Sequence, residues 1–473
     1  MGFVNKKLVE FNNFLVGKKV AIIGLGVSNM PLLDYLHDLN ADITVFDNKE
    51  MDQFDKKILD KLVDYEIGHY FGEDSIKWLR GFDIIFRSPS CLPTTKQLVK
   101  EKERGAIITT EVEMVVKLAP CKVIGVTGSD GKTTTTTLIS EILKEDGYNV
   151  FLGGNIGKPI FTEIKYMTPE DVVVLELSSF QLMGMDVSPN ISVVTNITPN
   201  HLDKHKDYEE YIESKANIFK YQGPDDLLII NHDYEVTRSF NGRQPGKVLE
   251  FSSKEKLDNG FIVDRDDMII KSCENGVRKH IYDTNNMTLR GVHNFENACC
   301  AIMATKDMVK MESIKNVLDN FKGVEHRLEL VLETKNRVKW INDSVSSSPT
   351  RTIAGLNSFN IKNIVLIAGG KDKNLDYSII GKPIVDSCKA LVLLGQTADK
   401  IEEAVKKELK HRVKQDLKIY RTTTLVDAIK AADELSETGD IVLFSPASTS
   451  FDMFKNFAER GEMFKMYVKD LIK

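Results

Sequence analysis

Short unbroken apolar runs, each the length of a strand, alternate along the chain with longer stretches whose apolar residues recur every three or four positions. Near the N-terminus, Lys19–Ile23 reads as a buried strand running into Gly24-Leu25-Gly26. A helix face at Leu32, Leu33 and Leu36 follows, then a second strand over 43–47. This is how a Rossmann-like βαβ unit begins. Residues 83–87 repeat the strand signature and stop at Ser88-Pro89-Ser90. The pattern restarts at 122–126, breaks into Thr127-Gly128-Ser129-Asp130-Gly131, and continues from Lys132-Thr133-Thr134 as a helix with Leu138, Ile139, Ile142 and Leu143 on one face. Further strand-to-loop junctions follow at 153–157, 171–179 and 191–203. A helix over 208–221 carries the stripe Tyr208, Tyr211, Ile212 and Phe219, and 241–290 reads as an inserted β region. Residues 291–297 open a helix through Met303. Strands are expected again at 338–341, Ile364–Ala368, 390–394, 417–420 and Ile441–Phe444, with helices between. The order predicts an α/β protein, with a first domain over 1–110, a second closing near His326-Arg327, and a third unit beyond.

The stretch from 122 to 146 carries the clearest chemistry. Strand, glycine-bearing loop, Lys-Thr and helix make a phosphate cradle: loop and helix N–H groups face the anion, Lys132 reaches the terminal phosphates, and Thr133 suits Mg²⁺. Gly125 precedes Gly131 by one residue more than a standard Walker loop allows. Ligands of open parallel sheets collect beyond the carboxyl ends of strands. Glu176, His201 and Asp203 occupy such ends and are candidates for the same metal–phosphate site. Lys215 falls on the apolar stripe of its helix. Spacing alone favours a side chain that snorkels to the core edge; the alternative is a lysine aimed into the active site. At the first glycine turn Asn29 replaces the third glycine of the dinucleotide fingerprint, so a nucleotide-type ligand fits better than NAD, with Asp47 placed for a ribose or base. In the third unit, Gly369-Gly370-Lys371-Asp372-Lys373 and 445–452 also follow strands and suit a small anion.

Composition narrows the class. At 473 residues the chain is too long for one ordinary core, and roughly two to four domains are expected. The net charge of −6 argues against a nucleic-acid surface. The 6 cysteines lack Cys-x-x-Cys spacing and read as reduced thiols, giving neither a disulfide frame nor a zinc site. No apolar run approaches transmembrane length, so a soluble, cytoplasmic protein is expected.

Several segments carry a resemblance. They are 125–134 (Gly-Val-Thr-Gly-Ser-Asp-Gly-Lys-Thr-Thr), 176–182 (Glu-Leu-Ser-Ser-Phe-Gln-Leu), 200–205 (Asn-His-Leu-Asp-x-His), 293–297 (His-Asn-x-x-Asn), His326-Arg327, and 445–461 with its Phe-Lys-Asn-Phe-x-x-Arg-Gly ending. In order and over nearly the whole chain, they resemble the Mur ligases of peptidoglycan synthesis. The second and last segments are similar to the branch that adds D-glutamate. The Asp-Asn-Pro-Arg motif of the branch adding diaminopimelate or lysine is absent.

The resemblance implies three domains: a UDP-substrate-binding Rossmann-like domain over 1–110, a central P-loop ATPase domain over 111–325, and a Rossmann-like amino-acid-binding domain over 326–473. It implies ATP-dependent joining of UDP-N-acetylmuramoyl-L-alanine to D-glutamate through an acyl phosphate, by a monomer whose partners are these small molecules alone. Gly128, Ser129, Asp130, Gly131, Lys132, Thr133 and Thr134 would hold ATP phosphates, Asn294 and Asn297 adenine, Arg327 phosphate and Asp343 ribose. Thr133 and Glu176 would hold one Mg²⁺; His201 and Lys215 a second, Lys215 being carbamylated by CO₂. That implication overturns the snorkelling reading, since a carbamate offers the oxygens Mg²⁺ takes whereas an ammonium repels it. Lys132, Glu176, His201 and Lys215 are thus the expected catalytic set. Val27, Ser28, Asp47, Asn48 and Ser90 would line the uridine-diphosphate site, with Asn155 nearer the muramoyl part. Ser347, Lys373, Ser450, Phe451 and Phe457 would surround D-glutamate. Two departures stand out: Val345 where many relatives carry lysine, and Asn48 in place of a threonine.

Overall fold

The computed structural model describes residues 3–199, 204–359, 362–372, 375–410, 412 and 417–472. Among them the strands form three sheets. The first takes β1 (Lys19–Ile23), β2 (Asp42–Asp47), β3 (Gly68–Phe71), β4 (Ile84–Arg87) and β5 (Ile107–Thr109) in the order β3-β2-β1-β4-β5. Every pairing in it is parallel. Val20, Ile22, Ile84 and Phe86 are fully buried, as the unbroken apolar runs demand.

The second sheet is built from β6 (Lys122–Thr127), β7 (Val150–Gly154), β8 (Val172–Glu176), β9 (Ile191–Val194), β10 (Leu227–Asn231), β11 (Lys247–Ser252), β12 (Gly260–Asp264), β13 (Ile269–Glu274) and β14 (Val277–Asp283). Its order is β14-β13-β12-β11-β10-β9-β6-β8-β7, so β6 is an interior strand with β8 and β9 on either side. The β region expected as an insertion over 241–290 instead prolongs this sheet: β11 pairs parallel with β10, and β12–β14 continue as antiparallel hairpins.

These two sheets share one hydrophobic core. Phe161, which follows β7, packs edge-on against Phe11, Tyr35 and Phe86 of the N-terminal region, with ring centroids 5.0–6.3 Å apart. That continuity makes everything through Phe321 a single compact unit. From Lys322 onward a separate unit holds the third sheet, β15 (Glu329–Glu333), β16 (Lys339–Asn342), β17 (Ile364–Ala368), β18 (Cys388–Leu393), β19 (Lys418–Arg421) and β20 (Ile441–Phe444). Its order is β15-β16-β20-β17-β18-β19, parallel except for the β15–β16 pair. The expected α/β architecture with three sheet-centred domains is therefore present.

Candidate active site

β6 delivers the chain to Gly128 between the ends of β8 and β9, and the helix Lys132–Glu145 carries it away. The off-pattern Gly125 is a strand residue, not a loop residue. A Cβ there would lie 2.6 Å from Pro189 Cγ, so packing requires its glycine. Gly128 and Gly131 have φ of +150° and +80°, and Cβ atoms would reach 1.9 Å from Thr195 Oγ1 and 2.3 Å from Asn297 Oδ1. Four threonines follow Thr133 in a helix they disfavour intrinsically. Thr136 and Thr137 offset this by donating to the Lys132 and Thr133 carbonyls at 2.8 Å, leaving the Leu138, Ile139, Ile142 and Leu143 face fully buried.

The loop rests on the segment after β9. Ser129 N donates to Asn196 O at 2.9 Å, Asp130 N to Asn196 Oδ1 at 2.9 Å, and Thr195 Oγ1 to Asp130 O at 2.6 Å. Two lysines converge on one carbonyl. Lys132 Nζ donates to Gly128 O at 2.8 Å and Lys215 Nζ to the same oxygen at 2.9 Å, with Thr127 Oγ1 3.2 Å from Lys215. Lys215 does not snorkel; it is 2% exposed, its ammonium 4.9 Å from the centre of the Tyr211 ring. Burial, then the Lys132 charge, holds its pKa well below the usual lysine range.

Glu176 closes β8 at 2% exposure. Oε1 accepts from Asn155 Nδ2 at 2.7 Å, whereas Oε2 is buried with no hydrogen-bond partner. An orphaned carboxylate oxygen at the strand end beside β6 is what a hard divalent cation takes, so Glu176 fits Mg²⁺, and Thr133 stands in the first turn of the helix that leaves the loop. Lys215 fits only if its amine is converted to an oxygen donor. His201 and Asp203 lie outside the described residues. Another three-residue cluster, Glu325, His326 and Glu462, belongs to the C-terminal unit. There Lys465 Nζ, 2.7 Å from Glu462 and 3.2 Å from Glu325, already supplies the cation.

Beside the loop a cleft of about 150 Å³ is lined by Gly131, Phe251, His293, Glu296, Asn297 and Cys300. Asn297 Oδ1 accepts from Thr135 Oγ1 at 3.2 Å, and Asn294 Nδ2 donates to Arg290 O at 2.7 Å. Both asparagines stand on the helix Val292–Thr305, and Asn297 Nδ2 donates to Asn294 Oδ1 at 3.4 Å. Glu296 was not foreseen; burial raises its pKa, and Ser253 Oγ donates to it.

A second cleft, of about 180 Å³, brings Val27, Ser28 and Pro89 of the first sheet opposite Asn155 and Gln181 of the second, with Glu111 between. Three expected ligand residues meet there. Asp47 is buried and turned inward, accepting from Leu25 N at 2.7 Å and Lys49 N at 3.0 Å, so it braces the glycine turn; Asn48 beside it is exposed. Ser90 is exposed next to this cleft, and Ser88 Oγ lies 2.9 Å from Ser90 Oγ. Asn29 donates to Ile23 O and Gly24 O at 3.1 Å, filling the space a third glycine would leave.

In the C-terminal unit, Asp343 is 2% exposed and accepts from Ser445 Oγ at 2.7 Å and Leu328 N at 3.3 Å; burial raises its pKa to about 6. Arg327 is exposed near it, with its charge acting on Asp343. Ser347 is half-buried, Ser450 fully buried, and Phe451 and Phe457 expose 61% and 43% of their surface, so this sheet edge presents aromatic faces outward. Lys373 lies outside the described residues. At the departure, Arg351 Nη1 donates to Val345 O at 3.2 Å, so a cation stands beside Val345 although lysine is missing. Arg460, unforeseen except as part of a motif, is 2% exposed and ties Ser344 to Ser448 O through bonds of 2.8–3.0 Å.

Three family models match: Mur ligase MurD-like, N-terminal domain, over 18–110; Mur ligase middle domain over 126–305; and Mur ligase, glutamate ligase domain, over 326–448. The UDP-N-acetylmuramoylalanine–D-glutamate ligase of Acetivibrio thermocellus is 46% identical over 99% of this chain and 100% of its own. That of Clostridium kluyveri is 47% identical over 98% and 99%. Among solved structures, the UDP-N-acetylmuramate-alanine ligase of Thermotoga maritima superposes with a TM-score of 0.55 over 96% of this chain and 99% of its own. Its identity is 18%, so that likeness speaks for the fold alone.

Proposed function

The chain belongs to the Mur ligase family, and from that premise we propose that it joins D-glutamate to UDP-N-acetylmuramoyl-L-alanine at the expense of ATP, as a cytoplasmic monomer in peptidoglycan precursor synthesis. The observation that carries the reading is likeness along almost the full chain to ligases named for this reaction. The phosphate loop agrees with it. Among the described residues, no helix is long and apolar enough to cross a membrane. In this reading residues 1–110 take the nucleotide-sugar acid, 111–325 ATP and 326–473 the amino acid.

A carboxylate is a poor acyl donor, so the reaction first needs a phosphoryl group placed on it and then an amine brought to the acyl phosphate. Lys132 and the N–H groups at the start of the helix Lys132–Glu145 orient the nucleotide phosphates and stabilise negative charge on the group in flight. Asn294 and Asn297 take the base in the cleft beside Gly131. Glu176 and Thr133 would hold one Mg²⁺, and His201 with a carbamate on Lys215 would hold the other; bound there, they would supply neutralisation of phosphate charge. The low pKa of buried Lys215 supports the carbamate, because only a neutral amine adds CO₂. Asn155 bonds to Glu176 while lining the second cleft, which suits a residue joining the nucleotide-sugar acid to the metal site. Ser347, Lys373, Ser450, Phe451 and Phe457 receive D-glutamate, and Arg327 and Asp343 contact the nucleotide.

Purified protein given UDP-N-acetylmuramoyl-L-alanine, D-glutamate, Mg²⁺ and ATP is expected to release orthophosphate only when both substrates are present, with an amide product seen by mass spectrometry. Preference for another amino acid in an acceptor screen would reject the assignment.

A further inference from the structure

Two buried ionisable side chains, a guanidinium and a carboxyl, reach main chain across the boundary between the first two sheets. Arg87, the last residue of β4, is 3% exposed. Its guanidinium donates to Cys91 O at 3.2 Å, to Phe180 O at 3.3 Å from both Nη atoms, and to Met183 O. Phe180 and Met183 belong to the short helix Ser179–Leu182 and its C-cap, so Arg87 satisfies carbonyls that the helix end leaves open. Glu111 opens the helix Glu111–Leu118 and is 6% exposed. Its Oε1 accepts from Ile160 N at 3.1 Å and Phe161 N at 2.9 Å, the free amides at the start of the helical turn Phe161–Tyr166. Among the described residues no carboxylate lies within ion-pair distance of Arg87 and no cation within that distance of Glu111. Both side chains are committed to main-chain partners instead.

What they place is the second cleft. Pro89 lies two residues after Arg87, Gln181 one after Phe180, and Pro159 one before Ile160; all three line the cleft, as does Glu111 itself. The walls come from different sheets, so the opening depends on what spans them. A planar guanidinium bonded to three carbonyls fixes distance and angle together, which an ammonium on a flexible stem does not. Burial makes every lost bond costly, because the carbonyls left behind have no water to turn to.

We infer that Arg87 and Glu111 are positioning residues that hold the two walls of this cleft at the separation a nucleotide-sugar acid requires, without touching the ligand's phosphates. The inference rests on the reading of this cleft as the nucleotide-sugar site. Burial also raises the Glu111 carboxyl to about 7, in keeping with a group held in place by packing.

The test is calorimetric titration of the full chain and of Arg87→Met, Arg87→Lys and Glu111→Gln with UDP-N-acetylmuramoyl-L-alanine, and separately with Mg²⁺-ADP, alongside a thermal melt of each. Arg87→Met is expected to weaken the nucleotide-sugar acid about tenfold or more, the scale of a lost charge-assisted bond, while ADP stays within about twofold. Arg87→Lys should fall between it and the wild type. Glu111→Gln, which keeps an acceptor oxygen, should weaken the same ligand about threefold. Unchanged nucleotide-sugar affinity in Arg87→Met, or parallel loss of both ligands, overturns the inference. Should Arg87→Met fail to fold, wild-type affinity in Arg87→Lys does so instead. A wild-type chain that binds ADP but not the nucleotide-sugar acid overturns the functional reading as well.

Discussion

Lys215 and Lys132 share the Gly128 carbonyl, which puts two positive side chains within reach of one oxygen at the phosphate loop. Burial first, and then the charge of Lys132, holds the Lys215 pKa well below the usual lysine range, which favours the neutral amine. Lys215→Ala should therefore cut ligation at least about 100-fold, the scale of one electrostatic stabiliser of a transferring phosphoryl group. Acetate or propionate should restore part of it by supplying the missing oxygens. Phosphate release in CO₂-depleted buffer is the measurement; full activity there in Lys215→Ala would remove the carbamate. Glu111 gives a pH signature. Its folded pKa is about 7 against 4.5 for a free glutamate, so its contribution to stability is fully present below 4.5 and lost as pH rises through 7. Over that window the wild type should lose up to about 3 kcal/mol relative to Glu111→Gln, whose side chain does not titrate. Denaturant unfolding of both proteins at pH 4.5, 6 and 7.5 reads the difference directly. The inward-facing Asp47 was harder to foresee. A carboxylate at a strand end suits a ligand or a turn equally well, and sequence cannot tell whether a backbone amide such as Leu25 N reaches it first.

At the scale of elements, the phosphate loop was legible because its determinants are local: an apolar strand, glycines with positive φ, and a helix face of period 3.6. Gly131→Ala tests the loop as an element. Its φ of +80° is costly for alanine, and the added methyl would lie 2.3 Å from Asn297 Oδ1. Strain of about 1 kcal/mol in stability is expected, together with ADP affinity reduced about tenfold or more as the loop shifts away from Asn297. Paired calorimetry and melting measure both. The β region at 241–290 was recognisable as strands but not as part of the central sheet. Pairing of β11 with β10 joins segments whose side chains give no sign of edge partnership, and the helix Val292–Thr305 packs against the apolar residues of both strands. Val345 shows the same limit from the other side. Its missing charge was visible in sequence, whereas Arg351 beside it comes from the first turn of another helix.

For the whole molecule, the sheets divide three ways but the cores do not. The first two sheets share apolar contacts through Phe161, and Arg87 and Glu111 bond across their boundary, whereas the chain from Lys322 has cores of its own. A fragment spanning 322–473 should therefore melt cooperatively by circular dichroism, and 1–110 alone should not, having lost the partner that covers its Phe86 face. A cooperative transition in the isolated 1–110 fragment would contradict this account.

By itself the sequence determined the order of strands and helices, the phosphate loop and the family, because periodicity, glycine placement and Gly-Lys-Thr order are properties of neighbouring residues. Tertiary structure alone decided that Lys215 points to Gly128 and not to solvent, that Glu176 keeps one oxygen unpartnered, and that Arg87 and Glu111 turn toward the neighbouring sheet. Each of those depends on which distant backbone atoms compete for a buried polar group. Burial makes that competition decisive, since a group cut off from water takes whichever partner the fold brings within reach.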